Sequence, residues 1–245
     1  MSLRSSRAAI AIRSAFVVII VTPLLTPVAS LSAVGPSRGL DPPMCFGREA
    51  TIVGTSGDDQ FPDAVNGTTA SDVIHALAGH DAVYALGLEQ DPDQELGDDF
   101  ICAGTGSDDP VDGGGGNDHI AGGPGSDGLF GNGGNDTIFG GFGSDEIESH
   151  DGRDVADGGP GIDEICASRG HDVIRGAEGN DLIGGCGDPS TGVDRYLGGP
   201  GDDQIFSTDV PAQDSPDVVN GGSGNDTCRI DPEDTATNCE TVEVV

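Results

Sequence analysis

Between residues 113 and 148 the chain reads GGGGNDHIA, GGPGSDGLF, GNGGNDTIF, GGFGSDEIE, four nonapeptides laid end to end. The same frame runs without a gap to Gly184 and makes eight units. Their fourth position is Gly116, Gly125, Gly134, Gly143, Gly152, Gly161, Gly170 and Gly179. Their sixth is Asp118, Asp127, Asp136, Asp145, Asp154, Asp163, Asp172 and Asp181. Their eighth is Ile120, Leu129, Ile138, Ile147, Ala156, Ile165, Ile174 and Ile183, where only Ala156 is small. Gly supplies 42 of 245 residues, so eight in one phase would arise by chance roughly once in a million.

The spacing has a structural reading. Gly at positions one, two and four tolerates positive φ and close backbone approach, so the first six residues form a turn. The last three suffice only for a short strand, whose middle side chain points opposite to its neighbours. Position eight therefore faces inward. Turn plus strand, taken twice, makes an 18-residue coil, and coils stack at about the 4.8 Å strand spacing. One edge then stacks Asp118, Asp136, Asp154 and Asp172, and the other Asp127, Asp145, Asp163 and Asp181. Like charges about 5 Å apart repel by about 3 kcal/mol at an effective dielectric of 20. A hard divalent cation between rungs reverses that sign, and carboxylates plus turn carbonyls supply the six to eight oxygens calcium takes. Magnesium, smaller and strictly octahedral, fits less well.

Weaker units flank this array. Upstream the period carries Asp59, Asp72, Asp81, Asp99 and Asp108, with a degenerate unit at 85–93 that lacks the Asp. Downstream an insertion near Asp188 to Asp194 breaks the phase, and Asp203 and Asp226 restore it. An open stack needs capped ends, and residues 230–245 with Cys228 and Cys239 read as a C-terminal cap.

Composition agrees. The formal charge is −33, there is no Trp, and all basic residues are Arg. Such a surface repels phosphate, which excludes nucleic acid as a partner. Few hydrophobes at high charge would leave the chain disordered without neutralisation, so ion-binding energy is expected to act as folding energy. Residues 1–30 carry Arg4, Arg7 and Arg13, an apolar run from Ala15 to Leu25 and then small residues. This is the pattern of a secretory signal peptide, too short to span a membrane, and implies a secreted protein. Residues 31–50 read as a Pro/Gly/Ser-rich linker. Six cysteines in an exported chain suggest disulfides and allow 15 connectivities. The expected set is Cys45–Cys102, Cys166–Cys186 and Cys228–Cys239, the last favoured by closeness.

The units at 51–229 resemble the RTX, or hemolysin-type, calcium-binding repeat G-G-x-G-x-D-x-U-x. That resemblance implies an all-β fold, a right-handed parallel β-roll with several calcium ions in the turns between coils. Carried over by position, the ligands would be the eight aspartates above with Asp203 and Asp226. Carbonyls of Gly114, Gly116, Gly123, Gly125, Gly134, Gly141, Gly143, Gly159 and Gly161 would complete the set. The chain is also similar to small exported calcium-binding proteins that carry the repeat without a catalytic partner. Ser149-His150 and Ala167-Ser168 replace the leading Gly pair, which weakens sites at those turns.

Catalytic readings find little support. Gly35-Pro36-Ser37-Arg38-Gly39 fits G-x-S-x-G but lies in a Pro-flanked linker rather than a strand–helix elbow. His75, His80, His119, His150 and His171 form no H-E-x-x-H, and His80 and His171 fall in turns, where solvation is expected. Phe130 and Phe139 lie on opposite sheets and make no aromatic platform. Two alternatives to a free calcium binder stay open. One is a calcium-dependent surface adhesion or toxin-accessory module. The other is a polysaccharide-active enzyme, for which Asp194, Arg195 and Tyr196 are the nearest candidates.

Overall fold

The computed structural model describes residues 45–48, 50–60, 64–68, 70–85, 97–184, 192–208 and 215–245. The proposed signal segment, Ser37, residues 86–93 of the degenerate unit, and Cys186 lie outside them. What the nonapeptide dictates is realised as two parallel sheets that the chain visits alternately. One sheet holds β1 (Ile52–Val53), β3 (Val73–His75), β5 (Phe100–Cys102), β7 (His119–Pro124) and β9 (Thr137–Phe142). It continues with β11 (Val155–Pro160), β13 (Val173–Glu178), β15 (Arg195–Pro200), β17 (Val218–Ser223) and β19 (Thr235–Thr237). The other holds β2 (Val65–Asn66), β4 (Val83–Tyr84), β6 (Val111–Asp112), β8 (Gly128–Phe130) and β10 (Glu146–Glu148). It ends with β12 (Glu164–Cys166), β14 (Leu182–Gly184), β16 (Gln204–Ser207), β18 (Thr227–Ile230) and β20 (Thr241–Val244). The fold is a parallel β-roll.

Register follows the repeat. Ile120 pairs with Ile138, Ile138 with Ala156 and Ala156 with Ile174, while Leu129, Ile147, Ile165 and Ile183 form the matching column across the roll. All eight side chains are fully buried. The columns continue through Tyr196 and Val219 on one sheet and Ile205 and Cys228 on the other. The core is thus built mainly from one apolar residue per strand, joined by Ala76, Ala85, Ala103, Ala167 and Ile230, and Ala156 occupies its place in the column despite its size.

Position four explains its glycines. A Cβ on Gly134, Gly143 or Gly161 would overlap the carbonyl oxygen of Gly116, Gly125 or Gly143 in the coil before it. Position two takes positive φ in seven of the eight clean units, Ser168 being the exception: Gly114 (89°), Asn132 (69°), Ala177 (75°) and His150 (64°) share it. The last two are held by the coils on either side.

Cys228 and Cys239 are disulfide-bonded, as are Cys45 and Cys102, and Cys166 is also in a disulfide. The end of the segment expected as a linker packs on the outer face of the odd-numbered sheet. There Cys45 joins Val73, Cys102 and Ala121, with Phe46 and Phe100 alongside.

Candidate metal centre

Every repeat aspartate is drawn into the edge of the roll by one recurring hydrogen bond. The backbone N–H of Asp118 donates to Oδ1 of Asp136 at 2.8 Å, that of Asp136 to Asp154, and that of Asp154 to Asp172. On the opposite edge Asp127 donates to Asp145, Asp145 to Asp163 and Asp163 to Asp181, at 2.9–3.0 Å. Each N–H lies where a strand begins and would otherwise be a buried orphan. The two stacks expected from the 18-residue spacing are therefore present, and each is a continuous ladder.

The ladders reach further than the clean repeat. The first starts at Asp72 and Asp99, passes through Asp194 and Asp217, and ends on Asp234 Oδ1. The second starts at Asp59, Asp81 and Asp108, passes through Asp203 and Asp226, and ends on Glu240 Oε2. Sequence reasoning missed Asp194 and Asp217 as rungs because their turns lack the leading glycines. The bare triplet Asp–x–apolar, in Asp194-Arg195-Tyr196 and Asp217-Val218-Val219, was the available signal. Asp194 and Tyr196, candidates for an enzymatic insertion, are a ladder rung and a core side chain, the tyrosine hydroxyl donating to Asp194 Oδ2 at 3.2 Å. A shallower ladder runs beside these at position five. Asn117 Oδ1 accepts the N–H of Asn135, and His171 Nδ1 accepts that of Val193. His80 does the same for Ser107, so both exposed histidines also serve the backbone.

Only one carboxylate oxygen is used by the ladder. Oδ2 of Asp118, Asp127, Asp136, Asp145, Asp163, Asp172, Asp181, Asp203 and Asp226 is buried without a hydrogen-bond partner, on residues no more than 2% exposed. Except at Asp172, where Ala167 holds the place, these oxygens face the position-one glycine of their own turn. The place a Cβ would take on Gly122 lies 2.5 Å from Asp127 Oδ2 and 2.7 Å from the Gly140 carbonyl oxygen. At Gly131 the corresponding oxygens are Asp136 Oδ2 (2.6 Å) and the Ser149 carbonyl (2.8 Å). At Gly140 they are Asp145 Oδ2 and the Gly158 carbonyl, both at 2.5 Å. A charged oxygen and a carbonyl from the next coil thus face each other across a space that only glycine leaves open.

Burial makes this costly. It raises the carboxyl of Asp118 to about 8, against the N–H bond from Asp99, and the charges of Asp136, Asp99 and Asp98 add to the rise. Asp127, Asp154, Asp163 and Asp172 are raised to about 7, again first by burial. Asp136, Asp145 and Asp203 rise to about 6 for the same reason. Repulsion between rungs, the cost foreseen from the spacing, is secondary to desolvation because the intervening N–H sits between neighbouring carboxylates.

The donor set suits calcium: hard, all-oxygen and rich in carbonyls. Among the described residues no three His, Cys, Asp or Glu side chains gather around one point, so an ion held here draws mainly on backbone oxygen. The sequence pointed to carbonyls at positions two and four. Those of Gly116, Gly123, Gly125, Gly141 and Gly143 lie against the glycines of the next coil, and that of Gly114 accepts the N–H of Gly133. The carbonyls that share the Gly122, Gly131 and Gly140 spaces with Oδ2 belong to position one. At Ser149 and Ala167 a real Cβ stands where the other turns are open, which narrows the cradles of Asp154 and Asp172.

No curated protein matches the chain. The family model for the RTX calcium-binding nonapeptide repeat matches residues 60–87, 112–147, 130–165, 148–183, 190–208 and 213–229, more than half of the sequence. With its period, its parallel roll and its edges of half-satisfied carboxylates, the chain belongs to the RTX calcium-binding nonapeptide repeat family.

Proposed function

We propose that this protein is an exported, non-catalytic calcium binder whose roll closes only when calcium enters the turns. One observation carries the reading: on both edges, buried carboxylate oxygens without a partner face carbonyl oxygens of the next coil. A metal-free roll must bury those charges or protonate them, and a cation removes the conflict. The proposed ligands are the Oδ2 atoms of Asp118, Asp127, Asp136, Asp145, Asp163, Asp181, Asp203 and Asp226 with carbonyls of the glycine turns. Asp154 and Asp172 form weaker sites. Affinity belongs to the range of extracellular modules, roughly 10⁻⁴ to 10⁻³ M. Export is supported by the charged-then-apolar start of the sequence and by the disulfides. Among the described residues no helix is long and apolar enough to cross a membrane.

The test is a calcium titration of chelated protein followed by far-UV circular dichroism. A β signal should appear cooperatively as calcium is added. A full signal already present under chelation at pH 7.5 would refute the coupling.

A further inference from the structure

The two ladders differ in the residue that stands at position one. On the second, Gly122, Gly140, Gly158, Gly176, Gly198 and Gly221 succeed one another without a break. The place a Cβ would take on each lies against Oδ2 of its ladder aspartate. On the first, Gly113 and Gly131 leave the same space, but the next two turns carry Ser149 and Ala167, both buried. The Ser149 hydroxyl already donates to the Cys166 carbonyl at 3.4 Å. None of these glycines has a positive φ, so what glycine provides at position one is room rather than backbone freedom.

Each position-one residue also serves two turns. The Gly140 carbonyl closes the space of Gly122, and Gly140 itself opens the space that the Gly158 carbonyl closes. The carbonyls of Gly198 and Gly221 do the same for Gly176 and Gly198. An ion held at one turn therefore fixes the residue that bounds the next, and the next ion meets a turn already ordered. On the first ladder this relay stops at Ser149, whose carbonyl closes the Gly131 space while its side chain fills its own.

The row on the second ladder runs past the repeat. The space of Gly221 is closed by the carbonyl of Asn238, a residue of the cap. Asn238 takes a φ of 52°, and its side-chain amide donates to Asn220 Oδ1 at 2.8 Å. The residue after it, Cys239, is bonded to Cys228. These restraints hold the carbonyl opposite Asp226 Oδ2, which is buried without a partner.

We propose that calcium fills the second ladder, from Asp127 to Asp226, as one cooperative row in which the cap contributes the Asn238 carbonyl as a ligand. The first ladder, interrupted at Ser149 and Ala167, binds separately and more weakly. This division rests on the calcium reading above and adds to it which edge fills first.

Calorimetry of chelated protein titrated with calcium should resolve two classes of site. Gly140→Ser, which copies Ser149 into the second ladder, should lower the affinity of the tighter class about tenfold. Gly131→Ser makes the same change on the first ladder and should act on the weaker class alone. Ser149→Gly with Ala167→Gly should raise the affinity of the weaker class about tenfold. That variant opens space instead of filling it, so it decides the matter even where circular dichroism shows Gly140→Ser unfolded in saturating calcium. Cys228→Ser with Cys239→Ser, which releases Asn238, should cost the tighter class one ion. Equal losses from Gly131→Ser and Gly140→Ser, or a weaker class untouched by the double glycine variant, overturn the division and leave calcium binding standing. No uptake by the parent protein overturns both.

Discussion

Asp145 shows how one side chain serves two masters. Its Oδ1 holds the N–H of Asp127 while its Oδ2 faces the Gly158 carbonyl with nothing between them. Asp145→Asn keeps the first bond and turns an NH₂ toward that carbonyl, removing a buried charge. Calorimetry should therefore count one calcium fewer in the variant than in the parent protein. An unchanged ion count would remove Asp145 from the ligand set. Gly134 tests the backbone instead. Gly134→Ala pushes a methyl into the Gly116 carbonyl at a φ of 135° and should cost more than about 2 kcal/mol, read as a fall in the thermal midpoint with calcium present. The inward column and the stacked aspartates were legible in the sequence because each is a side-chain choice repeated at fixed spacing. The bond from one aspartate's N–H to the next one's Oδ1 was not, since the donor is backbone and leaves no mark on composition.

Elements are bounded less by their own residues than by neighbours. The ladder steps by 18 residues in the clean array, by 22 from Asp172 to Asp194, and by 27 from Asp72 to Asp99. The ladder continues unbroken across these longer steps. Phase was thus a sound guide to where the repeat is perfect and a poor one to where the roll ends. Within residues 230–245, Asp234 and Glu240 accept the last ladder N–H groups, and Cys239 bonds Cys228. The contact of Phe46 with the sheet could not be read from periodicity, because the segment that bears it has no repeat. Replacing Cys228 and Cys239 together by Ser should lower stability by roughly 3 kcal/mol, measured by guanidinium unfolding in calcium. The loss should also include faster hydrogen exchange in β18 and β20.

For the molecule as a whole, protons and calcium compete for one set of carboxylates. Their pKa values in the folded, metal-free roll are raised from 3.8 to about 6–8, so the folded state binds more protons than the unfolded one between those limits. Stability of the metal-free roll is then fully present below about pH 4 and is lost as pH rises through about 6 to 8. Acidifying chelated protein from pH 7.5 to 4.5 should restore β signal in circular dichroism, and apparent calcium affinity should fall over the same interval. A metal-free spectrum flat across that range would show that the carboxylates are not what holds the roll open. The ladder also has a direction. The N–H of each ladder aspartate from Asp59 to Asp226 is answered from the coil that follows. A chain that becomes available N-terminus first therefore leaves its newest coil unfinished until another eighteen or so residues have followed.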